Sequence, residues 1–241
     1  SVWRYFDLWL LAAVLLLTTY GIVMIRSAIT GAPEFEGYEL RQLVFAVSGV
    51  VALFFIAAID YRILTSSHWF IYIAFLGTLI FILIAGTLGN QAQRWIVIAP
   101  GLNFQPTELG RIFFAITFGA FLAQRQQYIH RFSNTLLAIV YLGVPVLFIF
   151  LQPDLGMSIL FSFIWFIMLV MAGLPMTHVA VLAVVGLGAA SVALPFLQDY
   201  QLARLAIFVD PASDPEQQFN INQALISIGS GGWFGKGYFQ G

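Results

Sequence analysis

Seven apolar stretches, each long enough to cross a lipid bilayer, constrain this chain more than any other feature of its sequence. A helix that crosses the hydrocarbon core needs about 20 mostly apolar residues. Lipid offers no partner for backbone polar groups, so such a segment must be helical. The stretches are residues 6–25, 40–59, 69–87, 106–123, 135–151, 153–172 and 176–197. We therefore predict an all-α, polytopic membrane protein with about seven transmembrane helices in this chain.

Composition supports a membrane protein and excludes several other classes. The chain has 241 residues, of which 61% are hydrophobic and 9% charged, whereas a soluble domain carries about 25% charged residues. It has no cysteine, which excludes disulfides, thiolate metal sites and cysteine nucleophiles. The net charge of −1 gives no argument for nucleic-acid binding. The first apolar run is too long for a signal-peptide core, so we interpret it as a span.

The polar residues divide the chain and suggest its orientation. Residues 1–197 are predicted to form the transmembrane core, and residues 198–241, with four acids and two bases, a large extracytoplasmic loop. A cytoplasmic N-terminus puts four arginines inside and three outside, a modest positive-inside bias. Seven crossings put the start of helix 4, the end of helix 5 and the start of helix 6 on one membrane face, together with that loop.

Two similar motifs lie on that face. "NFQPTELGR" and "LQPDLGMS" each place Gln-Pro (Gln105 and Gln152) ahead of an acid, Glu108 or Asp154. One interpretation is a helix start with a capping carboxylate. The other is a polar substrate cavity, since Arg111 is within reach of Glu108 on one helical face and ionisable residues at membrane depth are costly. This interpretation suits an anionic, hydroxyl-bearing substrate.

The two carboxylates are expected to differ in their importance for folding. Replacing Glu108 by Gln would leave Arg111 charged and unpaired in a low-dielectric site, at a cost of a few kcal/mol. Asp154 is expected nearer the surface, where it stays solvated. We therefore expect Glu108→Gln to damage the cavity more than Asp154→Asn.

Three basic residues are candidates for binding a phosphate or a lipid headgroup. Arg94 precedes Trp95 and is equally consistent with an interfacial anchor. Arg204 lies in the run 202–209, which is a candidate interfacial helix. Lys236 belongs to "SGGWFGKG", which is not a Walker A motif because Ser and Gly stand where that motif needs Gly and Ser or Thr. We interpret this segment as a glycine turn or, alternatively, a backbone nest for phosphate. The scattered histidines His68, His130 and His178 are interpreted as loop residues.

Taken together, the motifs resemble the SEDS family (shape, elongation, division and sporulation), to which RodA, FtsW and SpoVE belong. The residues that carry the resemblance are Arg94-Trp95, "FQPTELGR", "LQPDLGMS", "DYQLARLAIFVDPASDP" and "NQALISIGSGGWFGKG", in the family's order and over the whole chain. The last two look more like RodA than FtsW. The resemblance implies a ten-helix glycosyltransferase of the bacterial inner membrane. It implies that the enzyme polymerises lipid II into peptidoglycan at the outer face, in cell-shape and elongation synthesis, with a class B penicillin-binding protein.

The same resemblance implies roles for individual residues. Glu108 and Arg111 match the family's helix-4 pair, in which the base is more often Lys, and Asp154 matches the acid of its Gln-Pro-Asp motif. Met157 stands where the family usually has Thr, and "QFNINQA" replaces its usual Gly-Tyr-x-x-x-Gln-Ser. The family's proposed catalytic base lies in a Pro-Glu-x-x-x-Asp-Phe motif, which would follow Gly241.

Residues 1–241 alone are therefore expected to bind lipid II weakly and to make no polymer. The acids of the tail, Asp199, Asp210 and Asp214, stay open as substitutes for that base. The sequence leaves a divalent cation open and does not demand one.

Two other functions compete with this one. A flippase that moves the lipid-linked precursor would show inverted repeats and ionisable residues near the membrane midplane, whereas the polar residues here cluster at one face. A scaffold that only recruits the transpeptidase would need neither Glu108 nor Asp154. Movement of lipid II without polymer would favour the flippase, and full function of a double alanine variant would favour the scaffold.

Overall fold

The structure is a computed structural model that describes residues 6–30, 35–85, 87–89, 92–99, 102–210 and 215–239. The described part is predominantly helical, as the apolar runs predict. Its helices are α1 (Leu8–Ala28), α2 (Tyr38–Ala57), α3 (Tyr61–Ser66), α4 (His68–Ala85), α5 (Pro106–Arg125), α6 (Phe132–Leu151), α7 (Leu155–Met171), α8 (Met176–Ala193), α9 (Asp199–Val209) and α10 (Pro215–Gly231). Its strands are β1 (Thr87–Gly89), β2 (Ala92–Ala99) and β3 (Leu102–Phe104).

Four helical segments of the described residues are long and apolar enough to cross a membrane: Leu8–Ala28, Tyr38–Ala57, Phe132–Leu151 and Met176–Phe196. Two further apolar helices, His68–Ile84 and Leu155–Met171, are shorter. The remaining predicted span is α5, which has 20 residues but carries Glu108 in its first turn and Arg125 in its last. A multi-pass membrane protein is thus supported, and the count of seven spans stays a prediction.

The segment between α4 and α5 forms a small antiparallel sheet that the sequence analysis did not predict. Strand β2 lies between β1 and β3, with Thr87 opposite Trp95 and Ile96 opposite Phe104. The segment "QRWIVI" is rich in β-branched and aromatic residues, which favour a strand. The sheet leads directly into Gln105 and therefore lies at the end of the bundle where α5 begins.

Two compact units are distinguished within the chain. One consists of Tyr61–Arg204, and the other takes the chain up to Asp60 and from Leu205 onwards. In the first unit, α4, α5, α6 and α7 enclose an aromatic core. The rings of Tyr72 and Tyr141 stack with centroids 4.1 Å apart, and the Tyr72 hydroxyl donates to the Tyr141 carbonyl at 2.7 Å. The Trp165 indole N–H donates to the Ala138 carbonyl at 2.8 Å, which joins α7 to α6.

In the second unit, α1 packs on α2. Helix α10 ends at Gly231 and is followed by a glycine turn, residues 232–239. The backbone N–H of Phe239 donates to the Ser27 hydroxyl at 2.7 Å, which ties this turn to the last turn of α1.

The predicted loop after residue 198 is largely helical, since α9 and α10 occupy most of its described residues. Local sequence explains α10, because Pro215 suits the first turn of a helix and Gly231 suits its end. The candidate helix over 202–209 is confirmed by α9. The division into domains at residue 197 stays a prediction.

Candidate functional site

The first Gln-Pro motif forms the start of α5. Gln105 is the N-cap residue and Pro106 occupies the first turn, where its missing N–H costs no hydrogen bond. One turn on, an Arg111 guanidinium nitrogen lies 2.5 Å from a Glu108 carboxylate oxygen. The side chains of Arg111 and Glu108 are 42% and 48% exposed, respectively. The predicted ion pair is confirmed, but the expectation that it lies in a low-dielectric site is wrong, because both side chains are about half exposed.

The second motif ends α6 and begins α7. Asp154 is the N-cap of α7, and its Oδ1 accepts the backbone N–H of Met157 at 3.2 Å. The predicted capping carboxylate is therefore confirmed, although α7 starts at Leu155 and Pro153 precedes the helix. Asp154 is only 5% exposed. The expectation that Asp154 lies near the surface and stays solvated is wrong, because it is buried where α7 begins.

A direct contact joins the two motifs. The Gln105 amide Nε2 lies 3.3 Å from Asp154 Oδ2 and donates to it. Gln152 is buried, and its amide donates to the Leu79 carbonyl at 3.1 Å, which attaches the second motif to α4. The prediction that both motifs lie at one end of the bundle is confirmed by this bond across 49 residues. We call Gln105, Glu108, Arg111, Gln152 and Asp154 the Gln-Pro junction.

The first turn of α9 completes this end of the unit. The Tyr200 hydroxyl and the Gln201 amide both donate to the carbonyl of Pro153, Gln201 at 3.1 Å. The guanidinium of Arg204 lies 5.8 Å from the centre of the Tyr200 ring. Sequence reasoning missed Tyr200 and Gln201. Their proximity to "LARL" in a family motif was the signal that could have indicated them.

A close helix crossing holds the junction in place. A Cβ built on Gly110 would lie 2.1 Å from Cε2 of Phe75, which is far below van der Waals contact. The Phe75 ring in turn stacks on Phe161 with centroids 5.8 Å apart. The glycine of "TELGR" therefore permits α5 to approach α4 closely, which fixes the height of Glu108 relative to the core.

The other predicted site residues lie elsewhere or outside the described part. Arg94 lies on β2, and its side chain is among those that are not described. Lys236 is exposed in the glycine turn of the other compact unit. Asp199 begins α9 and therefore does not lie in an irregular loop, whereas Asp210 directly follows α9 and Asp214 lies outside the described residues.

His130 lies in an exposed turn, which agrees with its interpretation as a loop residue, whereas His68 and His178 do not fit that interpretation. His68 is buried at the start of α4, with Nδ1 2.9 Å from the Thr65 carbonyl oxygen. His178 lies within α8, and its Nδ1 is 2.8 Å from the Thr135 hydroxyl. Both interpretations were wrong because helix packing, and not the local sequence, decides these environments. Within the described ranges, no group of three or more His, Asp or Glu side chains could hold a metal ion.

The junction has two chemically different parts. Asp154 is buried, and its carboxylate accepts one hydrogen bond from the backbone at the start of α7 and one from the Gln105 amide. These bonds hold the two helix ends together. The half-exposed Glu108 and Arg111 present an acceptor and a fork of donors side by side. Such a pair can bind a hydroxyl and an anionic group of one ligand together.

Comparison with known proteins gives a consistent result. A family model for FtsW, RodA and SpoVE, described as cell cycle protein, matches residues 7–241. A relative from Geobacter sp. (strain M18), named "Probable peptidoglycan glycosyltransferase FtsW", is 30% identical over 254 residues, covering 98% of this chain. The chain spans 66% of the length of that relative.

Two solved structures are similar. One, of a peptidoglycan synthase complex that coordinates polymerization and crosslinking, matches with a TM-score of 0.74 at 29% identity, over 96% of this chain and 67% of the other. The second, the rod shape determining protein RodA of Thermus thermophilus, has a TM-score of 0.66 at 29% identity, over 80% and 60%. Relatives named FtsW and RodA both occur, so the comparisons do not single out RodA.

Proposed function

The chain belongs to the FtsW/RodA/SpoVE family, and on this premise we propose that it forms the core of a peptidoglycan glycosyltransferase in the bacterial inner membrane. Its substrate is lipid II, which it polymerises into glycan strands at the outer face. Its partner is a class B penicillin-binding protein that cross-links the product, and elongation is the process it serves. The name of the Geobacter relative supports the glycosyltransferase activity, and the solved synthase complex supports a cross-linking partner.

The observation that carries the proposal is the Gln-Pro junction itself. Two motifs that are 49 residues apart meet through Gln105 and Asp154. Beside them, α5 presents an ion pair, Glu108 and Arg111, whose side chains are both about half exposed. Ionisable residues on a helix packed in a membrane bundle point to a functional site.

The reaction is a substitution at C1 of a donor sugar. A base removes the proton from the 4-hydroxyl of the acceptor sugar, the hydroxyl oxygen forms a bond to C1, and the bond from C1 to the pyrophosphate oxygen breaks. The undecaprenyl pyrophosphate leaves with the electron pair of that bond. The family resemblance assigns the base to the aspartate of a Pro-Glu-x-x-x-Asp-Phe motif.

The residues of this chain bind and orient the substrates. The Arg111 guanidinium offers N–H donors in a planar arrangement to an anionic group of the substrate. Glu108 orients Arg111 and accepts a hydrogen bond from a sugar hydroxyl. Asp154 acts as a positioning residue, because its contacts hold the start of α5 against the start of α7.

The departing pyrophosphate needs positive charge, and Arg204 is the strongest candidate to supply it. Its guanidinium lies over the Tyr200 ring, and the Tyr200 hydroxyl donates to the Pro153 carbonyl of the second motif, so Arg204 lies close to the Gln-Pro junction. Arg94 and Lys236 stay predictions for the same role. A divalent cation on the pyrophosphate would supply similar charge.

The test uses the full-length protein with its transpeptidase partner in proteoliposomes, supplied with labelled lipid II. Products are resolved on a gel, and movement of lipid II across the bilayer is measured in parallel. We expect a polymer ladder from the unaltered protein. Arg111→Gln should lower the polymerisation rate roughly 100-fold, as expected for loss of an electrostatic contact to the reacting groups.

The matched control is Arg125→Gln, which removes the same charge from the other end of α5. The Arg125 guanidinium lies over the Phe121 ring, 4.5 Å from its centre, and is about 28 Å along the helix from Pro106. We expect its polymerisation rate to be unchanged. Vectorial movement of lipid II without polymer would replace the proposal by a flippase. Absence of polymer, together with full cell-wall synthesis in cells that carry a Glu108→Ala/Asp154→Ala variant, would replace it by a scaffold.

A further inference from the structure

A groove of about 620 Å³ lies between the end of α1 and the glycine turn. One wall is formed by Tyr20, Val23, Met24 and Ser27 of α1. The other is formed by the end of α10 and by residues 233–238 of the turn. All of these residues belong to one compact unit, so the groove is defined without reference to the rest of the chain.

The position of α1 fixes the depth of the groove in the bilayer. Helix α1 has 21 residues and is therefore about 31 Å long, which matches the hydrocarbon core. Ser27 is its penultimate residue and lies at the boundary with the headgroups. Tyr20 lies seven residues earlier, about 10 Å deeper along the helix axis. The groove thus extends from the headgroup level into the acyl chains of one leaflet.

The chemistry of the walls changes along this direction. Tyr20, Val23 and Met24 are apolar or amphipathic and face the deeper part. At the boundary, the Ser27 hydroxyl accepts the N–H of Phe239, and Lys236 is only three residues before Phe239. Among the described residues that line the groove, Lys236 is the one that carries a charge, and none of them is a carboxylate. A ligand with a negative headgroup and an apolar tail matches this arrangement.

The tip of the turn supports a lipid as the occupant. Trp233 and Phe234 line the groove and are 99% and 100% exposed in the described structure. Two adjacent, fully exposed aromatic side chains are unfavourable in water, whereas tryptophan is enriched at the membrane interface. Their place beside the last turns of α1 puts them at that interface.

We propose that this groove binds an anionic glycerophospholipid of the bilayer, with its phosphate at Lys236 and an acyl chain along Tyr20 and Met24. Trp233 and Phe234 flank the lipid at the interface and hold the turn against the membrane. The inference goes beyond the proposed glycosyltransferase function and stands if that function is wrong, because it uses none of the residues of the Gln-Pro junction. It assigns Lys236 to a bilayer lipid in place of the departing pyrophosphate.

The experiment measures tryptophan quenching in nanodiscs that hold the full-length protein. In one series, the phosphatidylcholine bilayer contains an increasing fraction of brominated phosphatidylglycerol. In a parallel series, it contains an increasing fraction of brominated phosphatidylcholine. The signal of Trp233 is the difference between the unaltered protein and Trp233→Phe. We expect this signal to be quenched at a lower fraction of the anionic lipid than of the zwitterionic one.

Variants at Lys236 and Arg26 distinguish a specific lipid-binding site from a general effect of surface charge. Lys236→Gln should raise the fraction of brominated phosphatidylglycerol needed for half quenching about fivefold, the value of one lysine near anionic lipid. Lys236→Arg should retain the preference. Arg26→Gln removes one charge from the same last turn of α1 without lining the groove, and should leave the titration unchanged.

Three outcomes would overturn the proposal. Equal quenching by the two brominated lipids would mean that the tip merely touches the bilayer. Absence of quenching of the Trp233 signal would mean that protein fills the groove. Displacement of the brominated lipid by undecaprenyl phosphate, at a fraction where phosphatidylglycerol does not displace it, would assign Lys236 to the polyprenyl substrate.

Discussion

Removing the carboxylate of Asp154 is expected to loosen the joint between α5 and α7. Its Oδ1 caps α7 through the N–H of Met157 at 3.2 Å, and its Oδ2 accepts from Gln105 at 3.3 Å. Loss of an N-cap costs about 1 kcal/mol, and loss of a hydrogen bond to a charged group about 1.5–3 kcal/mol. For Asp154→Ala we therefore expect a loss of about 2–4 kcal/mol in the free energy of unfolding.

The conservative substitution separates the cap from the charge. Asp154→Asn retains a capping oxygen, since Asn caps helices as well as Asp does. The Gln105 amide can turn over to accept from the introduced amide. Only the charge assistance is lost, so Asp154→Asn should cost about 1 kcal/mol. Glu108→Gln should also cost at most about 1 kcal/mol, because its pair with Arg111 is half exposed.

Thermal unfolding in detergent, followed by circular dichroism, checks this order. A change of 2–4 kcal/mol corresponds to a fall of roughly 5–15 °C in Tm for a chain of this size. The Tm of Asp154→Ala should therefore be clearly lower than the Tm values of Asp154→Asn and Glu108→Gln. If Asp154→Ala unfolds at the same temperature as the unaltered protein, neither the cap nor the Gln105 contact stabilises the joint. If Glu108→Gln has the lowest Tm of the three variants, burial does not determine how much each carboxylate contributes to stability.

Two further substitutions test the packing of the aromatic core. Gly110→Ala places a methyl group 2.1 Å from Phe75, so it should cost about 1–3 kcal/mol, whereas Gly143→Ala in α6 meets no atom within 4 Å and should be neutral in the same unfolding assay. Equal Tm values for these two variants would contradict the close crossing. Trp165→Phe removes the 2.8 Å bond to the Ala138 carbonyl and should lower stability by about 1–2 kcal/mol. An unchanged Tm there would show that the bond does not contribute.

Features that depend on neighbouring residues could be predicted from the sequence. The apolar runs indicated helices because lipid leaves the backbone no other way to pair its polar groups. Pro106 indicated the start of α5, and the Glu108–Arg111 pair followed from a spacing of three on one helical face. The cap by Asp154 is equally local, because the residue it serves is Met157.

Features that depend on how helices pack could not be predicted in this way. The burial of Asp154 and its bond to Gln105 join residues 49 positions apart. The contact of Tyr200 with the Pro153 carbonyl spans 47 positions. Nothing in the local sequence specifies which distant residue is contacted. The contact is set by the crossing of whole helices and by the side chains that fill the space between them.

The sequence by itself determined that this chain is a helical membrane protein and that two Gln-Pro motifs lie at one end of it. The tertiary structure alone decided which carboxylate is buried. A polar residue at the start of an apolar helix is compatible with either environment until its neighbours are known. The approach of α5 to α4 at Gly110 and the seating of α9 on Pro153 leave Glu108 accessible and Asp154 enclosed.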